Sequence, residues 1–341
     1  MIGRQSVEFC EPPVITARAS VAGKKEGDGP LGKLFDEVVD DPMAGQNTWE
    51  EAESTLQEKV VGHLLNKAKV KESDIRYIFS GDLLGQLIAS SFGLAKYNIP
   101  YFGLFGACST MGEGMSLGSM IVAGGCADRV IAVTSSHFAS AEKQFRFPLE
   151  YGNQRPLSAT WTVTGSGGVI LEKAVGNNAA FSGKVCIKGV TTGKIVDYGV
   201  KDSFNMGASM APACADMIYA NFKDFGVDAD YYDKIFTGDL GYVGQRILID
   251  LLKEKGVDIS KVHSDCGMII FDQETQDTHA GGSGCGCAAA TLCSYILKRM
   301  EEGEFKRVLF APTGALMSTV SYNEGMSIPG IAHGIVLEQI E

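Results

Sequence analysis

Apolar positions along the chain follow two periods. Between Trp49 and about Lys69 the residues Ala52, Leu56, Val60 and Leu64 recur at helical spacing, and Thr48 followed by Glu51 is a capping-box pattern, so a helix is predicted there. Elsewhere the apolar positions come in short Val/Ile-rich runs that predict strands, beginning with Ile78-Phe79-Ser80, which leads into Gly81-Asp82-Leu83. The same order then returns. Ile235-Phe236-Thr237 leads into Gly238-Asp239-Leu240, after a second helical stretch from about Cys214 to Phe225. Gly106-Ala107-Cys108-Ser109 is matched by Ser283-Gly284-Cys285-Gly286, each cysteine being placed to open an apolar helix. Arg129-Val130 and Arg307-Val308 each begin a further strand, and Gly168 to Glu172 is matched by Gly334 to Glu338. Four matches in one order predict an internal duplication.

Alternating helices and short buried strands are the pattern of βαβ units, so the fold class is α/β, with two mixed or largely parallel sheets sharing a helical layer. The halves are placed at 1–175 and 176–341. They differ at about His137 to Ser158, where the first carries a longer polar insert containing Lys143, Arg146 and Arg155, placed to cover a pocket. Gly23 to Gly45 and Thr191 to Pro212 are expected to be irregular loops near that pocket.

Composition narrows the function classes. The 341 residues are 45% hydrophobic and 21% charged, which fits a well-packed globular chain. A formal charge of -11 without any basic run disfavours nucleic acid and anionic lipid as nonspecific partners. No leader and no apolar run long enough to cross a bilayer are expected, so membrane association is expected to be peripheral. Nine cysteines, an odd number, fit reduced buried thiols and synthesis in the cytoplasm.

Cys108 is the candidate for chemistry. Amides at the start of the helix that follows it favour a thiolate, which reads as a nucleophile or an anion-contacting thiol; a small buried thiol filling space is the alternative. His137, after the next strand, is either a relocated acid or base or a satisfied structural histidine. Cys285, Cys287 and Cys293 lack the paired spacing of a zinc site, and Gly281 to Gly284 lacks the ending of a phosphate loop, so neither metal nor cofactor is expected.

The cysteine turn, the duplication, Thr164-Gly165-Ser166-Gly167-Gly168 and Pro312-Thr313-Gly314-Ala315 together resemble the thiolase superfamily, in particular its ketoacyl-synthase-III-like branch. That resemblance implies a thiolase-like fold, a homodimer with the strand Tyr101 to Phe105 near the two-fold axis, and a cysteine that takes an acyl group with help from a histidine and an asparagine. Here the two partner positions carry Gly238-Asp239 and Ser283. Losing one oxyanion donor costs on the order of a hundred- to a thousand-fold in rate, so efficient condensation is not expected.

Leu104 to Thr110, Ser135-Ser136-His137, Gln144 to Pro148, Asp265-Cys266-Gly267, Ala280 to Cys285 and Ile331 to Gly334 are more specific. In combination they resemble the stage V sporulation protein AD family. The resemblance implies binding of dipicolinic acid (pyridine-2,6-dicarboxylate) as part of its uptake machinery in the forespore, beside stage V sporulation membrane proteins at the inner membrane. A flat aromatic dianion needs cationic or N–H donors and an apolar slot. Cys108, His137, Arg146, Arg155 and Ser283 are the candidate ligand-binding residues, with Lys143 a further available cation and Arg146 first among them because Phe145 and Phe147 flank it. An acyltransferase using Cys108 is the alternative.

Overall fold

The computed structural model describes residues 1–145, 155–174 and 181–341. Arg146 and the proposed boundary between 175 and 176 lie outside the described residues.

Ten strands form a continuous path that is two copies of one five-stranded pattern. In the first, the strand order is Tyr101–Gly103, Tyr77–Gly81, Arg129–Ser136, Gly165–Glu172, Val14–Gly23. In the second it is His263–Asp265, Lys234–Gly238, Arg307–Ala315, Gly334–Gln339, Val185–Thr191. The first three strands of each copy run parallel and the last two are joined antiparallel. Val14 and Ile15 pair with Cys186 and Val185, joining the two copies edge to edge.

Three apolar clusters show the layering. Leu56, Val60 and Leu64 of helix Trp49–Ala68 pack on one face of the first sheet against Ile78, Ile131 and Ile170. Met210, Cys214 and Ile218 of helix Met206–Phe225 pack on the second sheet against Ile235, Leu309 and Val336. Between the sheets, Met111 and Met115 of helix Thr110–Ala123 meet Cys287, Cys293 and Ile296 of the helical run 285–301, with Phe79 and Phe236 above and below. These two central helices are the shared layer.

Local chemistry sets the helix ends. Thr48 and Glu51 close a reciprocal capping box, and Lys69 ends that helix in the left-handed conformation. The second outer helix begins at Met206, eight residues before the position expected from sequence, and Pro212 lies inside it. Asn205 caps it by accepting from the Ala208 N–H at 3.3 Å. The fully buried Met210 and Ala211 hold the turn around Pro212 against the sheet, so packing outweighs the hydrogen bond a proline cannot make.

Candidate functional site

The first parallel strands end where the cysteine turn begins. Ala107 takes a positive φ of 50° and starts the one-turn 3-10 segment Ala107–Ser109, which runs directly into helix Thr110–Ala123. The turn is fixed from three sides. Ser109 Oγ donates to Gly106 O at 2.7 Å, Thr110 Oγ1 donates to Ala107 O at 2.6 Å, and Cys285 Sγ donates to the same carbonyl at 3.0 Å. Gly314 lies against the turn from the second half: a Cβ there would collide with Gly106 O and crowd the Cys108 backbone N–H. The Pro-Thr-Gly-Ala stretch is therefore a close-approach segment beside the cysteine.

Cys108 is 6% exposed and opens onto a cavity of about 240 Å³. Leu83, Phe105, Phe145 and Met317 supply apolar walls, while Glu142, Thr162 and Ser283 supply polar ones. Helix Phe138–Phe145 contributes Glu142, whose Oε1 is 3.4 Å from Thr162 Oγ1. Thr160 Oγ1 donates to Ser283 Oγ at 2.8 Å. The two-residue strands Trp161–Thr162 and Gly282–Ser283 pair in parallel, so the cavity's polar side is stitched from both halves. Among the described lining residues none is lysine or arginine.

Two of the candidate residues, Cys108 and Ser283, thus share one cavity. His137 and Arg155 do not line it. His137 Nδ1 accepts from the Ala139 N–H at 3.1 Å and its Nε2 is 2.8 Å from Pro42 O, which makes it a neutral histidine with both nitrogens engaged; burial lowers its pKa. Arg155 donates to Asp277 O at 2.8 Å and lies over the Trp161 ring. Lys143 pairs with Glu50 at 2.9 Å on the exposed side of its helix.

The two acyl-transfer partner positions also differ in place. Ser283 lines the cavity, but Asp239 is buried behind it with φ of 74°, and neither carboxyl oxygen has a hydrogen-bond partner among the described residues. The Gly284 N–H and the Cys287 thiol face it without closing a hydrogen bond, and burial pushes its carboxyl well above the usual range, with the neighbouring Asp265 adding to the shift. Asp265 is satisfied: it accepts from Thr237 Oγ1 at 2.6 Å and from the Leu240, Gly241 and Gly267 N–H groups, while burial raises it to about 6. Asp239, fully buried and not among the residues that line the cavity, cannot reach it to supply the donor that histidine would give a developing oxyanion.

Sequence reasoning missed Glu142 and Thr162. Glu142 is a single acid on a helix whose other faces are ordinary, and only the pairing of Thr162 with Ser283 turns both into the cavity.

The model of the family described as stage V sporulation protein AD matches residues 3–338. Stage V sporulation protein AD of Bacillus subtilis (strain 168) is 43% identical over 339 residues, covering 99% of this chain and 98% of that protein. Among solved structures, 3-oxoacyl-[acyl-carrier-protein] synthase III from Aquifex aeolicus VF5 is similar with a TM-score of 0.57 at 12% identity, covering 96% of this chain and 99% of that one. A variant of Xanthomonas campestris OleA is similar with a TM-score of 0.60 at 12% identity, covering 97% and 100%. At these identities the structures establish the thiolase-like fold alone.

Proposed function

The chain belongs to the stage V sporulation protein AD family, and from that premise we propose that it is a non-catalytic dipicolinic acid-binding protein of the spore's dipicolinate uptake machinery. One observation carries the non-catalytic part: the cavity keeps Cys108 while the residue at the histidine position, Asp239, is buried away from it. The cavity offers a flat ring an apolar slot between Leu83, Phe105 and Met317, with the Cys108 thiol and the Thr162 and Ser283 hydroxyls at its polar side. Glu142 there would repel a dianion, so this reading requires a cation, and Arg146 directly follows Phe145, which lines the cavity.

Calorimetric titration with dipicolinate tests the reading, and saturating ligand is expected to slow alkylation of Cys108 relative to the exposed Cys126. Arg146→Ala is expected to weaken binding about ten- to a hundred-fold, the cost of a charge-assisted contact. Unchanged Cys108 modification at proven saturation would place the ligand elsewhere. The competing reading, an acyltransferase using Cys108, has in its favour the fixed turn that presents the thiol to the cavity. Incubation with short acyl-CoA donors followed by intact mass separates them: no stoichiometric adduct is expected.

The homodimer belongs to the same proposal. Strand Tyr101–Gly103 is a sheet edge, and Tyr101, Phe102 and Phe105 are 38%, 47% and 57% exposed beside it, a surface that pairing with a second copy would cover. Sedimentation should show a dimer that Phe105→Asp converts to monomer; a monomeric parent protein would remove this part. No described helix is long and apolar enough to cross a membrane. As part of the same proposal, contacts with stage V sporulation membrane proteins would hold the chain at the inner spore membrane.

A further inference from the structure

Cys108 and Cys285 hold matched places in the duplicated fold. Each follows a glycine and stands at the start of a central helix, Cys108 in the 3-10 turn before Thr110–Ala123 and Cys285 as the first residue of Cys285–Thr291. None of the nine cysteines, all of them among the described residues, is in a disulfide. The packing of the two halves nevertheless brings these two helix starts together. Cys285 Sγ donates to Ala107 O at 3.0 Å, the carbonyl of the peptide that carries the Cys108 nitrogen. Across a trans peptide the carbonyl oxygen and the next Cα are about 3 Å apart, so the Cys285 sulfur lies within about 6 Å of the Cys108 Cα. The two side chains pack in one small buried cluster with Leu83 and Ala141.

Their surroundings give the two sulfurs different roles. Cys108 opens onto the cavity, so a small solute that enters meets its thiol. Cys285 is fully buried and does not line the cavity. Burial pushes its thiol well above the ordinary range, and Cys108 is the foremost of the charged neighbours that add to the shift. Such a thiol stays protonated and inert toward solutes, and reacts only with a sulfur brought to it. Cys287, on the same helix, is no substitute: Asp239, Cys266 and Asp265 all act on it more strongly than Cys108 does. Moving between staggered wells shifts a cysteine sulfur by about 3 Å, so side-chain rotation covers the distance that a bond between Cys108 and Cys285 requires.

We infer that Cys108 and Cys285 form a peroxide-oxidisable thiol pair, in which Cys108 is oxidised first and Cys285 resolves it into a disulfide joining the two halves. In the first step the Cys108 sulfur attacks one oxygen of hydrogen peroxide, the O–O bond breaks, and the departing hydroxide takes the thiol's proton as water, leaving a sulfenic acid on Cys108. The Cys285 sulfur then attacks the Cys108 sulfur. The S–S bond forms as the S–O bond breaks, and the hydroxyl leaves with the Cys285 proton as a second water. Peroxide gains the two electrons that the two thiols lose. The new bond replaces the hydrogen bond from Cys285 to Ala107 O, ties together the starts of both central helices and withdraws the Cys108 thiol from the cavity wall. None of these steps depends on which ligand the cavity takes.

The experiment exposes the full-length protein to a small excess of hydrogen peroxide without dipicolinate, then quenches it, alkylates it in denaturant without reductant, and measures intact mass and fragmented peptides. A loss of two alkylatable thiols is expected, with a linked Cys108–Cys285 peptide that dithiothreitol abolishes. The exposed Cys10 and Cys126 can only join separate molecules, and a non-reducing gel sets those products apart. Cys285→Ser retains a hydroxyl to donate to Ala107 O, so the turn keeps its anchor while the resolving sulfur is gone. In that variant no internal link should form, and dimedone, which captures sulfenic acids, should label Cys108 about ten-fold more than in the parent protein. Cys108→Ser should lose both the link and the label, and circular dichroism checks that each variant is folded. No thiol loss in the parent, conversion of its Cys108 to sulfinic acid without a linked peptide, or an internal link that persists in folded Cys285→Ser overturns the inference. Because dipicolinate is absent throughout, failure of the dipicolinate titration leaves this result standing, and failure here leaves that titration standing.

Discussion

Gly167→Ala should destabilise the protein by about 3 kcal/mol or more, the upper end of the cost of forcing a group into a packed interior. Gly167 lies in strand Gly165–Glu172, and its Cβ would collide with the backbone of Ala289 and Ala290 in the central helix. The approach is mutual, because a Cβ on Gly286 of that helix would collide with Gly165 O on the strand. Neither partner is a flexible side-chain end, so relief requires moving the helix. That helix begins with Cys285, whose thiol anchors the Cys108 turn, and Ser283 lies just before it in the cavity wall. The substitution should therefore lower the thermal midpoint by roughly 5 °C and also alter the Cys108 alkylation rate. Gly62→Ala is the contrasting case: it lies inside helix Trp49–Ala68, nothing approaches its Cβ closer than Tyr97 Oη at 3.5 Å, and helix propensity predicts stabilisation by up to about 1 kcal/mol. Equal midpoints for the two variants would show that the glycine run is not a packing device.

Thr164 to Gly168 thus illustrates what the sequence carries and what it hides. The two Gly-Asp-Leu strand ends and the paired Arg-Val strands were legible because each is repeated in both halves, the glycine run of the first half was legible as a local feature of its own, and the strand path reproduces the duplication. The start of helix Met206–Phe225 was hidden by Pro212, whose local preference is overridden by burial of its neighbours. The separation of His137 and Arg155 from Cys108 was hidden for a different reason. Cys108 lines the cavity that Thr162 borders, His137 lines the separate cleft that Trp161 borders, and Arg155 lies over the Trp161 ring. Sequence adjacency to the pocket insert does not encode which compartment a residue reaches.

Glu53→Gln should make the protein more stable than its parent at alkaline pH and leave the two equal in acid. Glu53 is fully buried on helix Trp49–Ala68 beneath the 138–145 helix, and its hydrogen bonds make sense only with a proton on it. Ser140 Oγ lies 2.7 Å from Glu53 Oε2 and 3.0 Å from His137 O, both acceptors if Glu53 is ionised, but Ser140 has one hydroxyl proton. A neutral Glu53 donates from Oε2 to Ser140, which then donates to His137 O. On the other side Ser135 Oγ donates to Glu53 Oε1 at 2.9 Å and receives Gln57 Nε2 at 2.8 Å, and Gln57 also bonds Ser90, which donates to Asp82 at 2.6 Å. The chain of donors is complete with a proton on Glu53 and a charge on Asp82. Burial first, then the Asp82 charge and that of Glu50, raises the Glu53 carboxyl far above its ordinary range. A carboxyl raised in the folded state stays protonated there while its unfolded counterpart ionises, so its contribution is complete below the ordinary carboxylate pKa and is lost as pH rises through the folded value. Glutamine mimics the protonated form, donating Nε2 to Ser140 and accepting from Ser135 with Oε1, and cannot ionise. Glu26, Asp239 and Asp265 keep their own raised values in both proteins, so the difference between the two stability curves isolates Glu53 with its coupling to Asp82. Denaturant unfolding at intervals from pH 5 to 9 should show the curves diverging with pH, the variant above; parallel curves would mean that Glu53 is charged in the folded protein and that the Ser140 bond to His137 is broken.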